Sequence, residues 1–271
     1  IGTATPRGFN YTYDVRGRIS HVESANMPVA AYAYDANRNR IRYTTPLGSV
    51  VGRCDPRDGL TRYCSENSSG TISAASGLPC FAYTYRESGE LQTKVDLVSN
   101  ATTELRYDGL GQLQSVRLPN GSTVTYENDA RGRRVGKSFD GTKRLGLLAL
   151  RPIALLDADN AVVATFVYAD AMTAPRFMMR GGQTYRYIVD HIGSVRMVVN
   201  AATGTTAQLI DYDEFGRVLV DTNPGFQPFG FAGGLYDTDT GLVRFGARDY
   251  YAVFGRWTAK DPVLFARRDT N

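Results

Sequence analysis

Arg248-Asp249 and Asp261-Pro262 stand on either side of an aromatic and glycine turn in the stretch RDYYAVFGRWTAKDP, residues 248–262. Paired aspartates suit acid-base chemistry, because two close carboxylates do not both ionise easily. One can activate a water while the other gives a proton to the carbonyl or leaving amine of a peptide bond. A hairpin centred on Gly255 would set residues equidistant from it opposite each other, as Asp249 and Asp261 are. Their Cβ atoms would then stand roughly 4.5–5.5 Å apart, a distance at which like charges destabilise a hairpin unless something compensates. On a regular strand Arg248 points to the face opposite Asp249, so it joins the pair only through a bulge or by curling back. The bland alternative pairs Asp249 with Arg248 or Arg256 and has Asp261 open a turn with Pro262. Phe254 and Trp257 are expected to pack the hairpin rather than act.

The rest of the chain offers little competing chemistry. Its two histidines, His21 and His191, are far apart in sequence, which argues against a histidine metal cluster and leaves little for a Ser/His/Asp triad. Cys54, Cys64 and Cys80 are spaced by ten and sixteen, neither a zinc knuckle nor a disulfide framework. One loop-closing disulfide with a spare thiol and a set of buried, inert thiols both fit. No GxxxxGK spacing occurs, and glycine-rich Phe226–Gly234 reads as an aromatic loop rather than a phosphate cradle. No cofactor is implied.

A net charge of +4 with acids and bases interspersed argues against a dedicated nucleic-acid face, which needs a clustered basic stripe. Of 31 basic residues, Lys94, Lys137, Lys143 and Lys260 are the lysines, so arginine dominates beside 17 tyrosines. Guanidinium stacking on tyrosine across a sheet would use that bias. No uncharged apolar run approaches the roughly 18 residues of a membrane span, and no charged-then-apolar leader opens the chain. Starting at Ile1, the chain reads as a piece of something longer.

The elements that must position Asp249 and Asp261 are strands. Tyr13-Asp14-Val-Arg-Gly17-Arg18, Tyr107-Asp108-Gly-Leu-Gly111-Gln112 and Tyr212-Asp213-Glu-Phe-Gly216-Arg217 share one frame. Looser copies are Tyr34-Asp35 to Arg38-Asn39, Tyr85-Arg86 to Gly89-Glu90 and, with two extra residues, Tyr126-Glu127 to Gly132-Arg133. Each reads as strand, turn, strand, with the acid opening the turn and the glycine taking a positive φ. Frame positions 17, 38, 89, 111 and 132 are separated by 21, 51, 22 and 21 residues, and the long gap holds a further candidate unit at Asp55-Pro-Arg-Asp-Gly59. A fixed period near 21 signals stacked β-hairpin repeats. From about residue 151 the pattern changes: two strands surround an Asp-Ala-Asp-Asn turn, and the stretch 185–200 leads through Ala-Thr-Gly-Thr to another strand ending in Tyr212-Asp213, with at most short helices expected.

These repeats resemble the YD repeats of the RHS family, which includes the C component of insecticidal Tc toxins and the shell of teneurins. DHIGSVR, DYDEFGRV, GFAGGLYDTDTGLVRFGARDYY and GRWTAKDP, between Tyr185 and Pro262, resemble in order the RHS repeat-associated core. The resemblance implies an all-β fold, a spiral of YD-repeat strands forming part of a hollow shell, with 1–150 as shell strips and 151–271 as the core. It also implies a core that cuts the chain in cis, as an aspartyl autoprotease using Asp249, Asp261 and Arg248, to release a C-terminal cargo polypeptide, often a toxin. The implied partners are that cargo and an N-terminal shell segment or delivery component, with no nucleic acid and no membrane span. The implied location is extracellular, or delivered by a bacterial secretion apparatus. Arg267-Arg268 replace the family's glycine pair and the sequence stops at Asn271, before the family's scissile segment, so the segment is expected to be silent toward itself. The competing reading is a non-enzymatic structural or adhesive cell-surface module, for which sequons at Asn10, Asn67, Asn100 and Asn120 would matter.

Overall fold

The computed structural model describes residues 8–24, 27–46, 48–66, 80–148, 151–170 and 173–260. Two compact units divide the chain, Ile1–Thr102 and Thr103–Asn271. The first holds β1 (Phe9–Tyr13), β2 (Ile19–Ser24), β3 (Met27–Tyr34), β4 (Arg40–Thr45), β5 (Gly48–Cys54), β6 (Leu60–Glu66), β7 (Cys80–Tyr85) and β8 (Leu91–Asp96). Each pairs antiparallel with its neighbours in sequence. Cys64 lies directly opposite Cys80 and is disulfide-bonded to it, while Cys54 stays outside the disulfide. Of the two cysteine arrangements open from sequence, the single clip with a spare thiol is the one formed.

The second unit runs through β9 (Thr102–Tyr107), β10 (Leu113–Arg117), β11 (Thr123–Asn128), β12 (Arg134–Phe139), β13 (Thr142–Leu148), β14 (Ala154–Leu156), β15 (Val162–Val167), β16 (Phe177–Arg180), β17 (Gln183–Val189), β18 (Val195–Asn200), β19 (Thr206–Tyr212) and β20 (Val218–Asp221). These again pair consecutively and antiparallel. A separate four-stranded sheet follows: β21 (Leu235–Tyr236), β22 (Leu242–Phe245), β23 (Arg248–Tyr251) and β24 (Arg256–Trp257). Among the described residues the single helical element is the 3-10 turn Phe231–Gly233.

One turn geometry is reused along both units. It starts at Asp14, Asp35, Asp55, Arg86, Asp108, Leu118, Asp129, Asp157, Asp190 and Asp213. In each, the first residue's N–H bonds the carbonyl four residues on and its own carbonyl accepts from the N–H three residues on. That fourth residue has positive φ every time: Gly17, Arg38, Asp58, Gly89, Gly111, Gly121, Gly132, Asn160, Gly193 and Gly216. Arg38 therefore does not distort its repeat; the turn closes on the same bonds with an arginine held at φ 72. At the Asp55 turn the positive φ falls on Asp58, not Gly59. Asp58 Oδ1 accepts from both Asn37 and Asn39 at the neighbouring turn, which gives an aspartate reason to sit there.

The Tyr-Asp pairing has a physical basis. The aspartate's Oδ1 accepts the N–H groups two and four residues on, as Asp14 does from Arg16 and Arg18 and Asp213 from Phe215 and Arg217. The tyrosine instead reaches sideways: Tyr34 donates to Ile19 O and Tyr85 to Leu60 O, each the start of the preceding strand, and Tyr168 to Pro152 O, two residues before β14. The sequence frame beginning at Tyr126-Glu127 is two residues early. The turn opens at Asp129, and Asn128 Nδ2 donates to Leu113 O in the tyrosine's place, so the repeat has its ordinary length. Arginines cover tyrosine rings as their abundance suggested, for example Arg18 over Tyr34 at 4.4 Å and Arg196 over Tyr212 at 5.2 Å.

The second unit's core gathers Ala164, Phe166, Met178, Tyr187, Val198, Ile210 and Tyr212 from one face of β15–β19. The aromatic loop seals that face, with Phe229 edge-on to Phe166 at 5.1 Å. Loop and sheet are joined by Val195 N to Gly230 O and by Ala232 N to Ser194 Oγ.

Candidate functional site

Asp249 is the second residue of β23 and is 2% exposed. Its strand alternates as expected: Asp249 faces inward, while Arg248 turns to the other side, with its guanidinium carbon 4.1 Å from the centre of the Trp257 ring. Trp257 in turn stacks edge-on to Tyr250 and Phe245, and Phe254 is buried against Tyr251 at 4.4 Å. Those aromatics pack the hairpin, as their types suggested.

The hairpin register differs from the one centred on Gly255. Tyr250 pairs with Trp257 and Tyr251 with Arg256, so the residue across from Asp249 is Thr258, whose N–H donates to Asp249 O at 2.8 Å. Gly255, at φ 67, closes the loop instead of marking its midpoint. The left-handed residue of such loops sits where the chain re-enters the strand, as at Gly17 and Gly216. Asp261 lies outside the described residues.

The carboxylate of Asp249 is held by two guanidiniums that sequence reading missed. Arg244, in the adjacent strand, donates to Oδ2 at 2.6 Å, and Arg134, at the start of β12, donates to Oδ1 at 3.1 Å. These two stand where the alternative reading had put Arg248 or Arg256. Arg244 also donates to Gly132 O at 2.6 Å and, through Nε, to Gly246 O at 2.9 Å. Burial lowers the Arg244 pKa, and the Asp249 charge opposes that shift. Arg134 packs its guanidinium 3.5 Å from the centre of the Tyr126 ring. No local signal marks either arginine, since one is 115 residues away and the other lies across a turn on the neighbouring strand.

A second polar group ties the four-stranded sheet to β11 and β12. Asp237 accepts from Tyr126 Oη at 2.6 Å and from Lys137 Nζ at 2.5 Å, and Lys137 also reaches Asp239 at 2.5 Å. Burial first, then the Asp237 charge, raises the Tyr126 phenol well above its ordinary pKa, so it serves as a donor to that carboxylate. Tyr250 Oη to Phe215 O completes the attachment at another turn. His191 is exposed in its turn, and His21 meets Glu23 at 3.3 Å. Among the described residues no group of His, Cys, Asp and Glu has the makings of a metal site.

The family model described as Teneurin YD-shell matches residues 3–270. Teneurin-4 of Mus musculus is 28% identical over 284 residues, covering 97% of this chain and 9% of its own length. The tRNA3(Ser)-specific nuclease WapA of Bacillus spizizenii is 26% identical over 145 residues, covering 51% of this chain and 6% of its own length. A crystal structure of TcdB2-TccC3 is similar at 16% identity with a TM-score of 0.46, over 94% of this chain and 17% of that one. The chain thus spans about a tenth of the length of the curated teneurin it matches.

Proposed function

The chain belongs to the teneurin YD-shell family, and on that premise we propose that it is a length of wall (1–150) and core (151–271) enclosing a polypeptide. In this reading Asp249 and Asp261 cut the chain once in cis to free that cargo. The observation that carries it is a carboxylate 2% exposed on a hairpin whose outgoing strand passes Thr258 and reaches Lys260, one residue before Asp261. Both Asp249 oxygens accept from guanidiniums, which only donate, so Asp249 is the member that takes a proton and Asp261 the member that gives one. Asp249 draws a proton from water as the water oxygen bonds to the carbonyl carbon. The C–N bond then breaks, and Asp261 protonates the departing amine. Arg248, on the opposite face against Trp257, is a positioning residue that holds the strand.

The partners of this reading are the enclosed C-terminal polypeptide and an N-terminal wall segment or delivery component, acting outside the cell or on delivery from it. A second reading, a structural or adhesive wall without chemistry, is favoured by the Arg134–Asp249–Arg244 cluster, which by itself gives the buried carboxylate a reason to be there.

Mass spectrometry of the natural full-length protein, beside its Asp261→Asn and Asp249→Asn variants, separates the two, with thermal unfolding run in parallel. Cleavage in the wild type and whole chains in both folded variants is the expected result. Whole chains in all three, or cuts in all three, would leave the structural reading standing.

A further inference from the structure

A cavity of about 460 Å³ lies one guanidinium away from Asp249. Arg134 lines it and at the same time donates to Asp249 at 3.1 Å through Nη1. The lining mixes apolar Phe139, Leu155, Pro228 and Leu235 with polar Gln227 and Thr238 and with the ion pairs of Lys137. Lys137 is the other cation on its wall, and its Nζ is taken by Asp237 and Asp239, so the charges there are matched within the wall. Arg134 Nε differs. It is buried and has no hydrogen-bond partner among the described residues, while the Nη atoms of the same group are used on Asp249. A buried donor left in that state is costly, and a water or a carbonyl of a bound segment would satisfy it.

We propose that this cavity is the specificity pocket of the cis cut. It takes one large apolar side chain of the segment to be cleaved, and Arg134 Nε donates to the backbone carbonyl beside that side chain. Three features lead to this occupant. The volume lies within the roughly 300–1,000 Å³ of ligand pockets and accommodates a large side chain with its flanking peptide groups. With its charges already paired and Phe139, Leu155, Pro228 and Leu235 in the lining, the cavity favours an uncharged, apolar side chain, because a lone charge brought there would lose its hydration without gaining a counter-ion. The single unpaired donor matches a peptide carbonyl, and its rigid link to the Asp249 carboxylate sets the bound segment at a fixed offset from the reacting groups. The inference rests on the cis-cleavage reading given above.

The test uses the natural full-length protein and follows the rate of chain cleavage by mass spectrometry together with thermal unfolding. Leu235→Trp fills the cavity from its wall, and Thr238→Trp, at an exposed lining position, covers it from the rim. Asp261→Asn is run alongside. Expected are cleavage slowed at least tenfold in the tryptophan variants with unfolding temperatures near wild type, and wild-type cleavage in the control Val162→Trp, at an exposed position outside the cavity lining. Should Leu235→Trp fail to fold, Thr238→Trp decides. Wild-type cleavage rates in the folded tryptophan variants, with Asp261→Asn whole, overturn the pocket while sparing the aspartate chemistry. Cleavage that survives Asp261→Asn brings down the parent reading instead.

Discussion

Aspartate meets arginine in two settings in this chain, at the hairpin turns and in the core sheet, and the same pair of residue types does different work in each. At Asp14, Asp129 and Asp213 the carboxylate is first a backbone acceptor, and the arginine four residues on joins it at a partly exposed edge. The hydrogen bond from Arg133 lowers the Asp129 pKa to about 2. Water competes for such pairs, so they add little, and the turn stands on its backbone bonds. At Asp249 both partners come from other strands, and all three side chains are 5% exposed or less. There each charge depends on the others, because none has solvent to fall back on.

The contrast is sharpest if Asp249 is removed. Asp249→Ala leaves two guanidiniums buried without their anion and is expected to cost about 3–5 kcal/mol, read as a fall in the urea midpoint of the natural protein. A loss below about 1 kcal/mol, the range of exposed pairs, would put Asp249 in the same class as the turn aspartates.

Glycines at the fourth turn position offer a second comparison, since backbone and packing can be separated there. A Cβ at Gly17 would meet nothing within 4 Å, whereas at Gly216 it would lie 2.4 Å from Phe231. Gly17→Ala is expected to cost about 1 kcal/mol for the positive φ alone, and Gly216→Ala about 2–4 kcal/mol once crowding is added. Equal losses by chemical denaturation would mean that Phe231 moves aside freely. The smallest effect runs the other way: Arg38→Gly should raise stability by about 0.5 kcal/mol by relieving a strained φ of 72. A loss would show that the arginine side chain makes up for the strain.

Much of the wall was legible because its information is local. The turn needs an acceptor at its first residue and a tolerant residue at its fourth, a pattern that recurs near every 21 residues. Where the reading slipped, a substitution hid the frame. Asn128 stands in for the tyrosine by making the same sideways bond to Leu113 O, and nothing in a single repeat advertises that exchange. Asp58 took the positive φ from Gly59 for the sake of Asn37 and Asn39, which belong to the neighbouring turn.

The core hairpin was legible only in part. Alternation placed Asp249 and Arg248 on opposite faces correctly, since period two is a property of any strand. The register was misplaced by taking Gly255 as the midpoint, although the wall turns already put their left-handed residue at the closing position.

By itself the sequence determined the strands, the recurring turn, the absence of nucleotide and histidine-metal motifs, and a family resemblance that rests on ordered local motifs. Tertiary structure alone decided that Arg134 and Arg244 converge on Asp249, that Lys137 bridges Asp237 and Asp239, and that a cavity with an unpaired Arg134 donor lies beside them. Hydrogen bonds within five residues are fixed by backbone geometry and leave a pattern in the chain. Contacts across 115 residues are fixed by which faces of which sheets are buried together, and no spacing records them.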